Sequence, residues 1–164
     1  MNNISPSSEP VSDVRVRPIP VSELPAKAFS GRRMICFFDC DPAGIVFTPH
    51  FVTILNGVIE DLFLGALGLN YHALIRDDRI GLGYAHINCD FFLPAQMSDQ
   101  MVFTPLVKRI GRSSVGFLVH GHRGADEVVR GNFVMVTTSI ETYRPISLPK
   151  PIRTALVAYE KICR

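Results

Sequence analysis

The chain has 164 residues, 47% of them hydrophobic, which is enough for one domain with a substantial core. A net charge of +2 lacks the basic excess of a general nucleic-acid binder. No apolar stretch reaches the roughly 20 residues that a membrane span needs, so neither a nucleic acid nor a membrane is expected as partner. Residues 1–30 carry Pro6, Pro10, Pro18, Pro20 and Pro25 among Ser and Asn, the composition of a flexible arm. Alternation in Val14–Arg17 would let this arm lie along a sheet edge or a neighbouring subunit. No basic region leads into an apolar run, so a secretory signal is not expected and a cytoplasmic location is. The four cysteines are read as reduced, because a chain of this size and hydrophobicity needs no disulfide staples.

The folded domain is expected over residues 31–164. Arg32 to Phe38 reads as a short strand, continuing past Cys36 towards Cys40. Asp41-Pro42-Ala43-Gly44 then bends the chain, with Gly44 free to take backbone angles that other residues avoid. Thr48-Pro49 reads as an N-cap followed by proline at the first helical position. The helix Pro49–Leu67 follows, with Phe51, Leu55, Val58, Ile59, Leu62 and Phe63 at helical spacing, and it should be largely buried. Gly57 and Gly65 would let it approach a sheet closely, and Gly68-Leu69 would cap it. Strands are predicted over Leu82–Phe92, Gln100–Arg109, Ser113–His122 and Gly131–Tyr143, then an amphipathic helix through Ile152, Leu156, Tyr159 and Cys163. Short connections favour antiparallel neighbours. The order makes an α+β protein in which the sheet can curl around the long helix.

The chemistry concentrates between Phe38 and Phe51. A helix starting at Thr48 points its first free amides back towards the bend, close to a carboxylate and to any carbonyl gaining negative charge. Asp39 reads as a turn or capping residue. His50 at the helix start could contact substrate or tune Asp41, or serve only as a neutral hydrogen-bonding ring, and Asn56, among apolar residues, lines a pocket or satisfies a backbone group. Phe47, Phe51, Tyr84 and Phe91 are candidate pocket aromatics. Lys108, Arg109 and Arg112 flank a turn at Gly111 and could meet phosphates. No Cys-x-x-Cys or Cys-x-x-His occurs, and His120 and His122 have no third ligand in the pattern, so no metal site is assigned.

FDCDPAGIVF, residues 38–47, resembles the signature of the 4-hydroxybenzoyl-CoA thioesterase family of hotdog-fold proteins. HINCDFFLPAQMSDQM, residues 86–101, is similar to the family's second-strand pattern, and the likeness runs from about Arg32 to Tyr143. The resemblance implies a hotdog fold, a curved antiparallel β-sheet wrapped around a long central α-helix, in a homodimer or homotetramer with active sites at subunit interfaces. It implies a cofactor-free acyl-CoA thioesterase. Asp41 would be nucleophile or general base, and the Thr48 backbone amide would polarise the thioester carbonyl. Arg112 would bind CoA, and the helix positions of His50 and Asn56 make them the substrate-binding candidates. Arg112 alone matches the family's basic run clearly. The family's bulky aromatic pair and acidic helix residue are replaced by Phe47-Thr48 and Asn56, so selection for a phenolic hydroxyl is not carried over, and an aryl-CoA is favoured only as the first substrate class. An acyl-carrier-protein substrate and acyl-CoA binding without turnover are the alternatives.

Overall fold

The computed structural model describes residues 16–164. Five antiparallel strands form one sheet: β1 (Gly31–Met34), β2 (Ile80–Phe91), β3 (Gln100–Ile110), β4 (Ser114–Arg123) and β5 (Asp126–Ser139), in the order β1-β3-β4-β5-β2. Bulges at Tyr84/His86, Val107/Arg109 and Gly121/His122 bend the strands and let the sheet curl. The long helix α1 (Thr48–Gly65) buries the six residues its spacing predicted, with Phe63 packing on Phe117 of the sheet. Alternation on β3, β4 and β5 supplies the other side of this core through the fully buried Phe103, Phe117, Phe133 and Met135. The α+β class and the antiparallel sheet around a central helix are as expected.

A second helix, α2 (Tyr71–Arg76), was not anticipated; it is six residues long, with Asn70 accepting from the Ala73 N–H at 3.0 Å as its N-cap. The C-terminal helix α3 (Lys150–Glu160) buries Ile152, Leu156 and Tyr159. It covers an edge that β1 leaves open, because β1 pairs with β3 only as far as Phe103. Beyond that point Pro105 stands where no ladder donor is required, its carbonyl accepts from Tyr159 Oη at 2.7 Å, and the Val107 N–H meets Cys163 Sγ at 3.4 Å.

Three sequence expectations are corrected. The first strand ends at Met34, and Phe37–Asp39 forms a 3-10 turn that leaves Phe37 and Phe38 exposed, so Cys36 and Cys40 flank a turn instead of lying on a strand. β5 starts at Asp126, because Gly124-Ala125 closes a two-residue hairpin with Gly124 at φ +60°, and it ends at Ser139. Gly57 and Gly65 face the Arg33 guanidinium and the Phe29 ring, whereas the close helix-to-sheet approach is made by Gly131, where a Cβ would lie 2.9 Å from Leu55 Cδ1. Gly68 at φ +64° and the Leu69 N–H to Phe63 carbonyl bond do end α1 as predicted.

Residues 16–30, read in the sequence as part of the arm, run over the β4–β5 hairpin, turn at Val21–Glu23 and reach β1 past Phe29, whose N–H donates to Tyr159 Oη at 3.1 Å. The rest of that arm lies outside the described residues.

Candidate active site

Between β1 and α1 the chain forms a narrow hairpin. The Asp39 carboxylate accepts from the Cys36 N–H at 2.8 Å, the capping role its position predicted. The Phe47 N–H donates to the Asp39 carbonyl at 2.8 Å and the Asp41 N–H to the Ile45 carbonyl at 2.9 Å, pairing the two arms. At the tip the Gly44 N–H donates to the Asp41 carbonyl at 2.9 Å, the Ala43 N–H donates to Asp41 Oδ1 at 2.8 Å, and Gly44 sits at φ +79°. This Asx turn fixes the Asp41 side chain through one oxygen and leaves Oδ2 without a bond among the described residues. Bonds from the Val46 N–H to the Ala95 carbonyl and from the Ile35 N–H to the Asp99 carbonyl, both 2.9 Å, tie the hairpin to the turn before β3. Asp99 closes that turn by accepting from the Gln96 N–H at 2.8 Å and from Arg123 Nη1 at 2.7 Å.

The N-cap of α1 is Phe47, one residue before the predicted Thr48, and Pro49 occupies the second helical position, where a missing N–H is equally harmless. The Thr48 N–H is therefore the first free amide of the helix, one residue past the Asp39–Phe47 pairing. A cleft of about 310 Å³ opens beside it, lined by Ile45, Val46, Thr48 and Phe51 on one side and Phe91 to Ala95 on the other. Phe51 and Phe91 meet at 5.6 Å. Of the other two aromatics proposed for a pocket, Phe47 packs edge-on against His50, and Tyr84 packs on Phe133.

His50 is stacked on Phe38 at 5.0 Å, with its Nδ1 buried and unpartnered among the described residues. Asn56 links helix to sheet: its Oδ1 accepts from Tyr84 Oη and its Nδ2 donates to Glu60 Oε1, both at 2.7 Å. Arg112 is not brought to this end of the molecule. It follows the far end of β3, roughly 33 Å along the strand from the hairpin at about 3.3 Å per residue, with Nε on Ser147 Oγ at 3.3 Å. Desolvation and the carboxylates of Asp39, Asp41 and Asp99 push the Cys40 thiol above its usual range, which keeps it protonated and unsuited to nucleophilic attack. His120 and His122, two apart on β4, are engaged by Glu127 and by the Ile19 carbonyl.

Residues 37–156, which span the hairpin, the cleft, strands β2 to β5 and most of α3, match the family model for the Thioesterase-like superfamily. The chain belongs to that superfamily. Solved structures share its fold. A 1,4-dihydroxy-2-naphthoyl-CoA thioesterase from Synechocystis is 21% identical with a TM-score of 0.70, covering 79% of this chain and 96% of its own. A gentisyl-coenzyme A thioesterase is 23% identical with a TM-score of 0.71, covering 78% and 99%. A Staphylococcus aureus protein in complex with CoA is 12% identical with a TM-score of 0.77, covering 84% and 87%. No curated protein sequence matches the chain. The superfamily assignment and these likenesses give the five-stranded sheet its name, the hotdog fold, and no helix among the described residues is long and apolar enough to cross a membrane.

Proposed function

We propose that this superfamily member is a cytoplasmic enzyme that hydrolyses acyl-CoA thioesters, with Asp41 at the centre of the reaction. The reading is supported by the hairpin, which holds the Asp41 carboxylate by one oxygen and leads directly into the start of α1, where Thr48 carries the first free amide. A thioester carbonyl lacks much of an ester's resonance stabilisation, so an oriented carboxylate and an oxyanion donor suffice for attack. As general base, Asp41 Oδ2 takes a proton from the water whose oxygen adds to the carbonyl carbon. The C–S bond then breaks, CoA leaves as a thiolate and the thiolate takes up a proton. As nucleophile, Oδ2 adds first and water hydrolyses the resulting anhydride. Both routes place the developing oxyanion at the Thr48 amide.

An aryl acyl group is the first choice, since Phe51 and Phe91 line the cleft and two structural neighbours are described as thioesterases of aryl-CoA substrates. His50 and Asn56 would act at the substrate's periphery. A homodimer, with a homotetramer as the larger assembly, is proposed because β2 has twelve residues and, among the described residues, one edge without a partner strand. Arg112, remote from Asp41 in its own chain, would then reach CoA bound to another subunit.

Thiol release from benzoyl, hydroxybenzoyl, phenylacetyl and aliphatic CoA thioesters tests the reading. Asp41→Asn keeps the size and removes the charge, and it should lower kcat/KM about 100-fold or more. Saturable acyl-CoA binding without release in the wild type would favour a binding protein, release only from acyl carrier protein would change the carrier, and an equally active variant would remove Asp41 from the centre.

A further inference from the structure

Residues Arg17–Val21 lie across the β4–β5 hairpin in a bonding pattern that uses every second residue. The Arg17 carbonyl accepts from Arg130 Nη2 at 3.0 Å, and the Ile19 N–H donates to Glu127 Oε2 at 2.8 Å. The Ile19 carbonyl accepts from His122 Nε2 at 3.0 Å, and the Val21 N–H donates to the Ala125 carbonyl at 3.2 Å. Proline occupies the two intervening positions, 18 and 20, where no donor is used, and keeps the segment extended. The segment shields a cluster of titratable side chains.

Glu127 is fully enclosed and accepts from Arg130 Nε at 2.8 Å, from Arg130 Nη2 and from His120 Nδ1 at 2.6 Å, besides the Ile19 N–H. These bonds fix both tautomers. Glu127 is an acceptor, so His120 carries its proton on Nδ1; the Ile19 carbonyl is an acceptor, so His122 carries its proton on Nε2. His122 Nδ1 is left buried and unpartnered among the described residues. Glu127 and Arg130 already cancel in charge. A proton on either imidazole would add a net positive charge between rings 6.2 Å apart, and on His122 it would create a buried N–H with no acceptor. The β3 residues paired with the histidines, Thr104 and Val102, are uncharged. Asp90 on β2 pairs in register with Arg130, Asp126 pairs with Arg123 at the hairpin end, and the Arg17 side chain is on the exposed segment.

We propose that Arg17–Val21 is an acid-released strap, which leaves the hairpin when His120 takes up a proton while the strands beneath stay paired. Undocking is the least disruptive way to let water reach the imidazoles. It breaks four bonds and uncovers little apolar surface, because Arg17, Pro18 and Pro20 are already exposed, whereas any other route would unpair β4. Burial holds His120 below the usual imidazole value of about 6.5 despite its bond to Glu127. A value lowered in the docked state means that docking is fully favoured above the usual imidazole value and loses ground as the pH falls from there through the lowered His120 value. Release would also remove the Pro18–Pro20 wall of a cleft of about 300 Å³ on which Phe92 and Leu93, residues of the candidate active-site cleft, have their other side.

Amide hydrogen exchange of the full chain, followed by NMR and corrected for the intrinsic effect of pH, tests the strap. Protection of the Ile19 and Val21 amides should fall tenfold or more between pH 7 and pH 5, with the Phe117 and Val119 amides of β4 unchanged. The variant His120→Asn with His122→Gln can donate the same two bonds without titrating, and its strap should stay protected at pH 5. Strap protection that is independent of pH in the wild type, or that falls together with the core amides, would overturn the proposal. So would an unchanged pH dependence in the folded double variant; if that variant does not fold, the wild-type comparison of strap and core decides alone.

Discussion

At the scale of single residues, the proposed site makes a demand on a backbone atom that side-chain truncation cannot test. Thr48 is the first residue of α1, where proline is well tolerated, and Phe47 already has the extended angles, φ −62° and ψ 121°, that a following proline requires. Thr48→Pro should therefore fold with a nearly unchanged Tm while lowering kcat about 100- to 1,000-fold, the usual loss for one oxyanion donor. An active Thr48→Pro protein would move the oxyanion site elsewhere. A second residue-scale prediction concerns packing. A Cβ at Gly131 would lie 2.5 Å from the Phe133 ring and 2.9 Å from Leu55 Cδ1, both fully buried, whereas a Cβ at Gly83 meets nothing within 4 Å. Gly131→Ala should cost about 1–3 kcal/mol in urea unfolding, and Gly83→Ala should stay within about 0.5 kcal/mol. Residues whose role is set by their immediate neighbours were legible in the sequence: the Asp39 cap, the bend at Asp41 and the left-handed Gly44 all follow from short-range turn chemistry. Gly131 was not legible, since its partner Leu55 is 76 positions away and only the packed sheet brings them together.

At the scale of elements, long periodic segments were legible and short ones were not. The six-residue α2 has too few turns for a period to show, and its one local signal, Asn70 as N-cap, was passed over. Phe37-Phe38 reads as strand because both side chains favour strands, yet the Asp39 carboxylate captures the Cys36 N–H and turns the chain first. The C-terminal helix was legible as amphipathic, but its task on the sheet edge depends on where β1 stops. That task can be measured. Tyr159 Oη donates to the Pro105 carbonyl and accepts from the Phe29 N–H, joining α3, β3 and the segment before β1. Tyr159→Phe removes both bonds, leaves the buried Pro105 carbonyl unpaired and should cost roughly 1–3 kcal/mol, seen as a lower urea midpoint at an unchanged slope. An unchanged midpoint would mean that α3 holds the edge by apolar packing alone.

At the scale of the whole molecule, the buried polar groups bound the pH range in which the fold is most stable. On the acid side, burial pushes Glu127 up, but bonds from Arg130, the Ile19 N–H and His120 outweigh it and hold the carboxylate below its usual range. The Gln96 N–H, joined by Arg123, holds Asp99 below its usual range against a smaller opposing effect of burial. His120 is lowered by burial. For all three the folded value lies below the unfolded one, so the unfolded chain binds more protons, and stability present above the unfolded values is lost as the pH falls. On the alkaline side, burial raises the phenols of Tyr71, to about 12, and of Tyr84 and Tyr159. Their folded values lie above the unfolded value of about 10, so the stability they contribute is present below pH 10 and is lost as the pH rises through the folded values. Urea midpoints should consequently form a plateau between about pH 7 and pH 10 and fall on both sides, in two acid steps: a first below the imidazole range, where His120 protonates, and a second in the carboxylate range. His120→Asn should remove the first acid step and leave the second and the alkaline fall in place. A midpoint as high at pH 5 as at pH 8 in the wild type would show that the His120–Glu127–Arg130 cluster takes up its proton without loss, and with it the electrostatic account of this end of the sheet would fail.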